Sequence, residues 1–214
     1  MIATPDRAST KEDFELGSGD LALEFANTAE WHAGPAPVEF LNSYEDLAAW
    51  SQRCGVVDAA DRKGMILQAR RRPGEAKAVL KRAIALREAI YRTFSAIAHE
   101  RLPRNQDMTE LNLALAESLS RLRVVPDGKR FSWEWSGGQT LDRMIGPVAQ
   151  AAASLLTSSE LSRVGECADD RGCGWLFVDR SKNHSRRWCD MKGCGNRAKA
   201  NRHQERARAG EPSR

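Results

Sequence analysis

Four of the five cysteines in this 214-residue sequence lie within one 28-residue segment. They form two pairs, Cys167 with Cys173 and Cys189 with Cys194, separated by five and four residues. Four thiolates at about 2.3 Å from a zinc ion complete a tetrahedral shell and leave no position for water, so such a site stabilises a fold and does no catalysis. The residue types and their spacing therefore predict one structural zinc ion with these four cysteines as ligands.

Two other uses of four cysteines have to be weighed against zinc. Two disulfides are disfavoured, because residues 1–14 do not resemble a secretion signal and cytosolic thiols stay reduced. An iron–sulfur cluster is disfavoured because its usual motifs space three cysteines two residues apart, which this sequence does not do. The fifth cysteine, Cys54, follows an apolar helical pattern and is expected to be a small buried hydrophobe. We therefore expect a zinc protein in the cytoplasm.

The composition is that of a soluble globular protein, with 41% hydrophobic and 29% charged residues. The longest nearly apolar segment, 148–156, is much shorter than the roughly 20 residues of a membrane-spanning helix, so no membrane association is predicted. Charge is uneven along the chain: residues 163–214 carry 13 basic and 7 acidic side chains, and residues 1–162 carry 20 and 22. Part of the basic excess would offset the zinc–thiolate centre, and the remainder favours an acidic partner.

Hydrophobic periodicity predicts a mainly α protein whose first domain, residues 1–158, is large enough to bury its own core. A capping box at Ser43 and Asp46 starts one helix, and Pro73 suits the first turn of the longest one. A glycine and two prolines in residues 32–42 disfavour helix and strand and predict a loop. The predicted helices cover residues 20–31, 43–54, 58–71, 73–99, 108–122 and 140–156.

Residues 124–135 alternate in polarity across a Pro-Asp-Gly turn, which predicts a small β-hairpin. Its tryptophans, Trp133 and Trp135, are expected to pack in the core or across the hairpin, as are Trp31 and Trp50. His32 is the one early residue with the character of a site group. A partly exposed loop histidine is the simpler interpretation.

Residues 159–214 are predicted to form a second, zinc-held ββα module of treble-clef-like type. A strand leads to Cys167, the apolar segment 174–178 forms another, residues 186–189 return along it, and a helix runs over 196–208. Because the module contains few apolar residues, metal binding should supply much of its folding free energy.

The last predicted helix is strongly cationic and lacks an apolar stripe. Lys199, Arg202 and Arg206 recur at three- and four-residue spacing and share one face of a rod about 20 Å long. Such a helix fits the major groove of DNA, and Arg186 and Arg187 beside the cysteines are expected to contact phosphates or to stack on an indole. The alternative is a solvated helix that contacts nothing.

The tail resembles a known family. The segments CGWLFVDRS at 173–181, SRRWC at 185–189 and CGNR at 194–197 resemble the CGNR zinc finger over about residues 160–205. LGSGDLALEFANT at 16–28 is similar to the start of the helical ABATE-type domain that precedes this finger in bacterial proteins. The resemblance implies a stress-linked bacterial transcription regulator, with the four cysteines as metal ligands.

Two features of the motif remain open in the sequence. The first cysteine pair is one residue wider than in many relatives, which a bulge at Arg171–Gly172 would accommodate. Asn196 and Arg197 suit either hydrogen bonds within the finger or contacts with DNA.

Three classes of function follow. The first is a DNA-binding regulator whose first domain senses a small-molecule effector or forms a homodimer, because one finger contacts too few bases for selective binding. The second is an adaptor that docks on an acidic protein. The third, an enzyme, is disfavoured because the sequence lacks a phosphate-binding loop, a nucleophile elbow and paired histidine spacing. The histidines concerned are His32, His99, His184 and His203.

Overall fold

A computed structural model describes residues 17–136 and 140–208, without the side chains of residues 203 and 205–208. The described residues form seven α-helices and three two-stranded antiparallel sheets, which confirms the mainly α class. The helices are α1 (Leu21–Ala26), α2 (Tyr44–Arg53), α3 (Ala59–Arg71), α4 (Pro73–Ala98), α5 (Asn105–Leu119), α6 (Ile145–Leu156) and α7 (Asn196–Arg208). The strands are β1 (Ala29–Glu30), β2 (Val38–Glu39), β3 (Leu122–Asp127), β4 (Arg130–Trp135), β5 (Val164–Glu166) and β6 (Leu176–Val178).

The first helix is shorter than the sequence predicts. The Asp20 carboxylate caps α1 by accepting the Ala22 N–H at 2.8 Å, but the helix ends at Ala26. The next residues form β1, which pairs with β2 inside the predicted loop 32–42. The prediction of helix up to Trp31 is wrong because Ala29 and Glu30 are extended and pair with β2, and Trp31 has a backbone φ of 55°, in the left-handed region that a right-handed helix excludes.

Capping explains where the next helices begin. Ser43 Oγ accepts the Asp46 N–H at 3.2 Å, while the Asp46 carboxylate accepts the Asn42 N–H at 3.1 Å, so the capping box is present with its return bond shifted by one residue. Asp58 caps α3 in the same way. The fifth helix runs over Asn105–Leu119 and not 108–122, because Leu122 already begins β3.

The main core lies between α1, α2, α4 and α6. Phe25 and Trp50 pack at a ring-centroid distance of 4.8 Å, and Phe94 is fully buried in the same cluster. The second module contributes to the same core through Val164, Leu176 and Val178. Burial of each such side chain stabilises by about 1.5–3 kcal/mol. The first module therefore holds β5 and β6 by apolar contacts that the sequence did not reveal, and the share of the folding free energy supplied by metal binding stays a prediction.

The hairpin predicted at 124–135 is confirmed as β3 and β4, joined by a two-residue turn at Gly128 and Lys129. At its base the Trp135 ring covers Gly146, where an added Cβ would lie 2.5 Å from the ring. Further out Trp133 is 66% exposed and lies opposite Val124, so of the two expected roles it has packing across the hairpin and not in the core.

Among the helices of the described residues, none combines the length and the apolar character required to span a bilayer.

Candidate metal centre

The four predicted ligands come together from two loops and one helical turn. Cys167 directly follows β5, Cys173 lies three residues before β6, and Cys189 is in the loop after β6. Cys194 lies in a π-helical turn, Met191–Gly195, that runs directly into α7. All four Sγ atoms lie within 4.8 Å of one another.

The geometry fits zinc. The Sγ atoms of Cys173 and Cys189 are 3.7 Å apart, and those of Cys189 and Cys194 are 3.5 Å apart. A regular tetrahedron with zinc–sulfur bonds of about 2.3 Å has sulfur–sulfur edges of about 3.8 Å. Four soft thiolates in a largely buried pocket are also the donor set that zinc prefers in structural sites. The prediction of one structural zinc ion held by these cysteines is confirmed.

The thiols depend on a cation to ionise together. Hydrogen bonds from Cys173 and the other two thiols lower the pKa of Cys167, and hydrogen bonding to that thiolate raises the pKa of Cys173. The same hydrogen bonds raise the pKa of Cys189 and Cys194, so they favour one thiolate over the other three thiols. A divalent ion stabilises all four, and the N-terminal end of α7 adds a favourable dipole at Cys194.

Glycines shape the loop between the first two ligands. Gly172 has a φ of 87° and Gly174 one of 67°, both in the left-handed region. The Gly172 N–H donates to the Asp169 carbonyl at 3.1 Å, and this turn accommodates the wide spacing of the cysteine pair. A Cβ on Gly172 would lie 2.5 Å from Gly34 Cα, so the first module lies directly against this loop.

The first module also supplies a wall of the metal centre, which the sequence analysis missed. Trp31 packs on the cysteine cluster, and its ring lies 4.8 Å from the guanidinium of Arg171 and 5.6 Å from that of Arg197. The backbone N–H of His32 donates to the Cys173 carbonyl at 3.2 Å. Only the Trp31-His32 pair before a Gly-Pro loop hinted at this role.

Two arginines predicted near DNA have partners inside the finger. Arg197 donates to Cys194 Sγ at 2.9 Å and to the Asp169 carboxylate at 3.3 Å. Arg186 donates to the carbonyls of Trp188 and Cys189, and its guanidinium lies 4.2 Å from the centre of the Phe177 ring. Both side chains therefore brace the metal-binding loops.

The other predicted DNA residues lie at the surface. Lys199 is exposed, and the guanidinium groups of Arg187 and Arg202 lie 5.3 and 6.0 Å from the Trp188 ring. Asn196, also exposed, donates to the Lys192 carbonyl at 3.2 Å. The side chain of Arg206 lies outside the described residues.

His32 lies in a loop and is partly exposed as a whole, as expected, but its side chain is buried. Its side chain is 6% exposed, its ring stacks on Tyr91 at 3.6 Å, and Nε2 lies 3.1 Å from both carboxylate oxygens of Glu88. Arg87 also donates to Glu88. Although burial alone would raise it, the hydrogen bonds and charges of His32 and Arg87 lower the pKa of Glu88 to about 2.

We predict that Glu88→Gln destabilises the protein by about 1–2 kcal/mol at pH 7, after allowance for solvent screening of this partly exposed group. Because the folded-state pKa is depressed, the Glu88 carboxylate stabilises the fold above about pH 4.5, and this contribution is lost as the pH falls toward 2. The difference in unfolding free energy between the two proteins should therefore shrink from pH 7 to pH 3. Urea unfolding followed by helical circular dichroism measures it, and a pH-independent difference would contradict the assignment.

Comparison with known families agrees with this geometry. The model of the ABATE family, described as "putative stress-induced transcription regulator", matches residues 19–159, and the model of the CGNR zinc finger matches residues 163–207. None of the curated proteins compared matches the chain. Since the first match covers more than half of the sequence, the chain belongs to the ABATE family and carries a CGNR zinc finger with a four-cysteine metal centre.

Proposed function

We propose that this protein is a zinc-dependent transcription regulator that binds DNA through the finger and α7. The observation that carries the proposal is a group of exposed cations around the metal centre, which we call the basic surface. None of its members forms an ion pair with a side chain in the described part of the chain. The basic surface consists of Lys182, Arg187, Lys192, Lys199 and Arg202.

The absence of an acidic side-chain partner distinguishes these cations from Arg197, and their exposure distinguishes them from Arg186, whose guanidinium is held by two carbonyls and the Phe177 ring. A cation that already neutralises Asp169 or a thiolate has little charge left for a phosphate, whereas an unpaired exposed cation can release counterions from DNA. The basic surface therefore includes Lys182 and Lys192, which the sequence analysis did not select, and excludes the two bracing arginines.

Zinc contributes by fixing the position of α7. One residue, Gly195, separates Cys194 from the start of α7. Asp190 caps the π-helical turn that contains Cys194 by accepting the Gly193 N–H at 2.7 Å. A helix attached in this way can be presented to the major groove without an apolar contact face. Arg202 stands over Trp188 and Lys199 is one turn nearer to the metal, so both would meet the same groove.

A salt titration tests the proposal. We predict that Lys199→Ala together with Arg202→Ala weakens binding to genomic DNA about tenfold or more near physiological salt and reduces the slope of log affinity against log salt by about 1.8. The matched control replaces Lys77 and Lys81, two exposed lysines of α4, and removes the same charge. Selection of genomic fragments by the zinc-loaded protein would supply the DNA.

Equal binding by both double variants would contradict the role of α7. The alternative function, an adaptor that docks on an acidic protein, predicts binding to DNA without sequence preference. Selection that enriches no site would therefore favour the adaptor.

The remaining parts of the proposal concern the first module. We assign it homodimerisation or the sensing of a small-molecule effector in a stress response, and we assign the chain no catalysis. The family description and the need of a single finger for a second half-site support this division. A bacterial cytoplasmic location, with association to the nucleoid, follows from DNA binding.

A further inference from the structure

The hairpin formed by β3 and β4 carries an exposed apolar face. The strand register places Val124 opposite Trp133 and Pro126 opposite Phe131, with all four side chains on the same face. Val124 is 56%, Phe131 74% and Trp133 66% exposed. The two aromatic side chains alone present about 300 Å² of apolar surface, a large part of the roughly 800 Å² that each partner buries in a standard interface.

The outer edge of β4 has no partner strand among the described residues, whereas that of β3 is partly blocked. Ser136 N–H donates to the Arg121 carbonyl at 2.8 Å, and this bond fixes the alternation of the ladder. The backbone groups of Phe131 and Trp133 therefore point away from β3, and no other strand in the described ranges pairs with β4. On β3 the outward-pointing residues are Leu122, Val124 and Pro126. Pro126 has no N–H to donate, and the Leu122 carbonyl already accepts a bond from the Arg123 guanidinium at 2.8 Å.

The sequence of β4 is complementary to itself. Arg130-Phe131-Ser132-Trp133-Glu134 reads cation, aromatic, small, aromatic, anion. If two copies of β4 pair antiparallel about a two-fold axis at Ser132, Arg130 faces the partner's Glu134 and Phe131 faces the partner's Trp133. Each pair occurs twice, and both types stabilise adjacent strands.

Neighbouring registers lack this match. The alternation of the ladder allows the axis to move only to Phe131 or to Trp133, because outward-pointing residues must face each other. With the axis at Phe131, Arg130 would face the partner's Ser132. With the axis at Trp133, Glu134 would face the partner's Ser132. Only the axis at Ser132 pairs all four charges.

We propose that β4 pairs with β4 of a second copy of this chain, making a four-stranded sheet in the order β3-β4-β4-β3 across a homodimer. The proposal rests on the homodimer of the proposed function and names its surface, but it does not depend on DNA binding. The self-complementary charges identify the partner as the same chain, since a two-fold interface uses one patch twice.

Charge reversal tests the proposal in two single variants. In Arg130→Glu two acidic residues face each other at both ends of the shared ladder, and in Glu134→Arg two arginines do so. Each variant alone should raise the Kd of the dimer about tenfold or more, because two attractive pairs become repulsive. An equimolar mixture should recover dimers close to wild-type affinity, since both pairs of a heterodimer are then attractive.

Sedimentation velocity of the zinc-loaded full chain, without DNA, measures this over about 1 to 100 µM. The mixture also controls for changes within a hairpin, because each protomer carries the same substitution in the homodimer and the heterodimer. A monomeric wild type, single variants that dimerise as well as wild type, or a mixture that stays monomeric would each overturn the proposal. Dimers with the predicted pattern but without DNA affinity would instead refute the proposed function alone.

Discussion

Replacement of Cys189 by serine should abolish stoichiometric zinc binding and lower the free energy of unfolding by about 5 kcal/mol or more. Three thiolates remain, but the hydroxyl is a poor ligand at neutral pH, and the buried cluster loses the charge balance that its fourth sulfur provides. Elemental analysis of the purified protein measures the zinc content, and urea unfolding measures the stability.

The loss of structure should be local at first. Since Leu176 and Val178 lie in the main core, β5 and β6 should stay ordered, while the loop after β6 and the start of α7 become free to exchange amide hydrogens. Cys54→Ser is the control, because Cys54 is the C-cap residue of α2 and is not a member of the four-cysteine cluster. One zinc per chain in Cys189→Ser would mean that the ligand set is wrong.

The sequence predicted the parts of this protein that local chemistry determines. Apolar residues at three- and four-residue intervals identify α4 from Pro73 to Ala98, and the carboxylates of Asp46 and Asp58 mark helix starts through their own hydrogen bonds. The cysteine ligands could be predicted because a tetrahedral thiolate site has few alternatives. Each of these signals lies within one short segment.

Features that depend on long-range contact could not be predicted in this way. Residues 186–189, expected as a returning strand, form a loop held by Arg186 and by one bond from the Ala168 N–H to the Arg187 carbonyl at 2.8 Å. Apart from the Trp31-His32 pair before a Gly-Pro loop, the local sequence does not indicate that Trp31 covers the metal centre from a different module. The roles of Arg186 and Arg197 depend on which acceptors lie nearby, which only the folded chain shows.

The contact between modules changes how the finger can act. The domain boundaries at 1–158 and 159–214 stay a prediction. The two parts nevertheless share one core, so they cannot move as independent bodies without exposing Leu176 and Val178. An event in the first module, such as dimerisation or effector binding, can therefore reach the metal centre through Trp31 and His32. Regulation of the proposed DNA binding would need no flexible linker.

Asn27 is the residue on which this junction depends most, because it completes the open edge of β6. Its Nδ2 donates to the Leu176 carbonyl and its Oδ1 accepts the Leu176 N–H, each at 2.9 Å. The Val178 N–H donates to the Ser18 carbonyl at 2.7 Å along the same edge. The first module thus pairs with the finger as a neighbouring strand would.

Asn27→Ala should lower the free energy of unfolding by about 3 kcal/mol, because it leaves a buried N–H and a buried carbonyl of Leu176 without partners. Asn42→Ala is the matched control: its amide makes one exposed bond, to the Glu39 carbonyl, and should cost less than about 1 kcal/mol. Urea unfolding compares the two variants, and hydrogen exchange at Leu176 reports the edge itself. If Asn27→Ala is no less stable than Asn42→Ala, the core alone joins the modules, and the coupling through this edge must be abandoned.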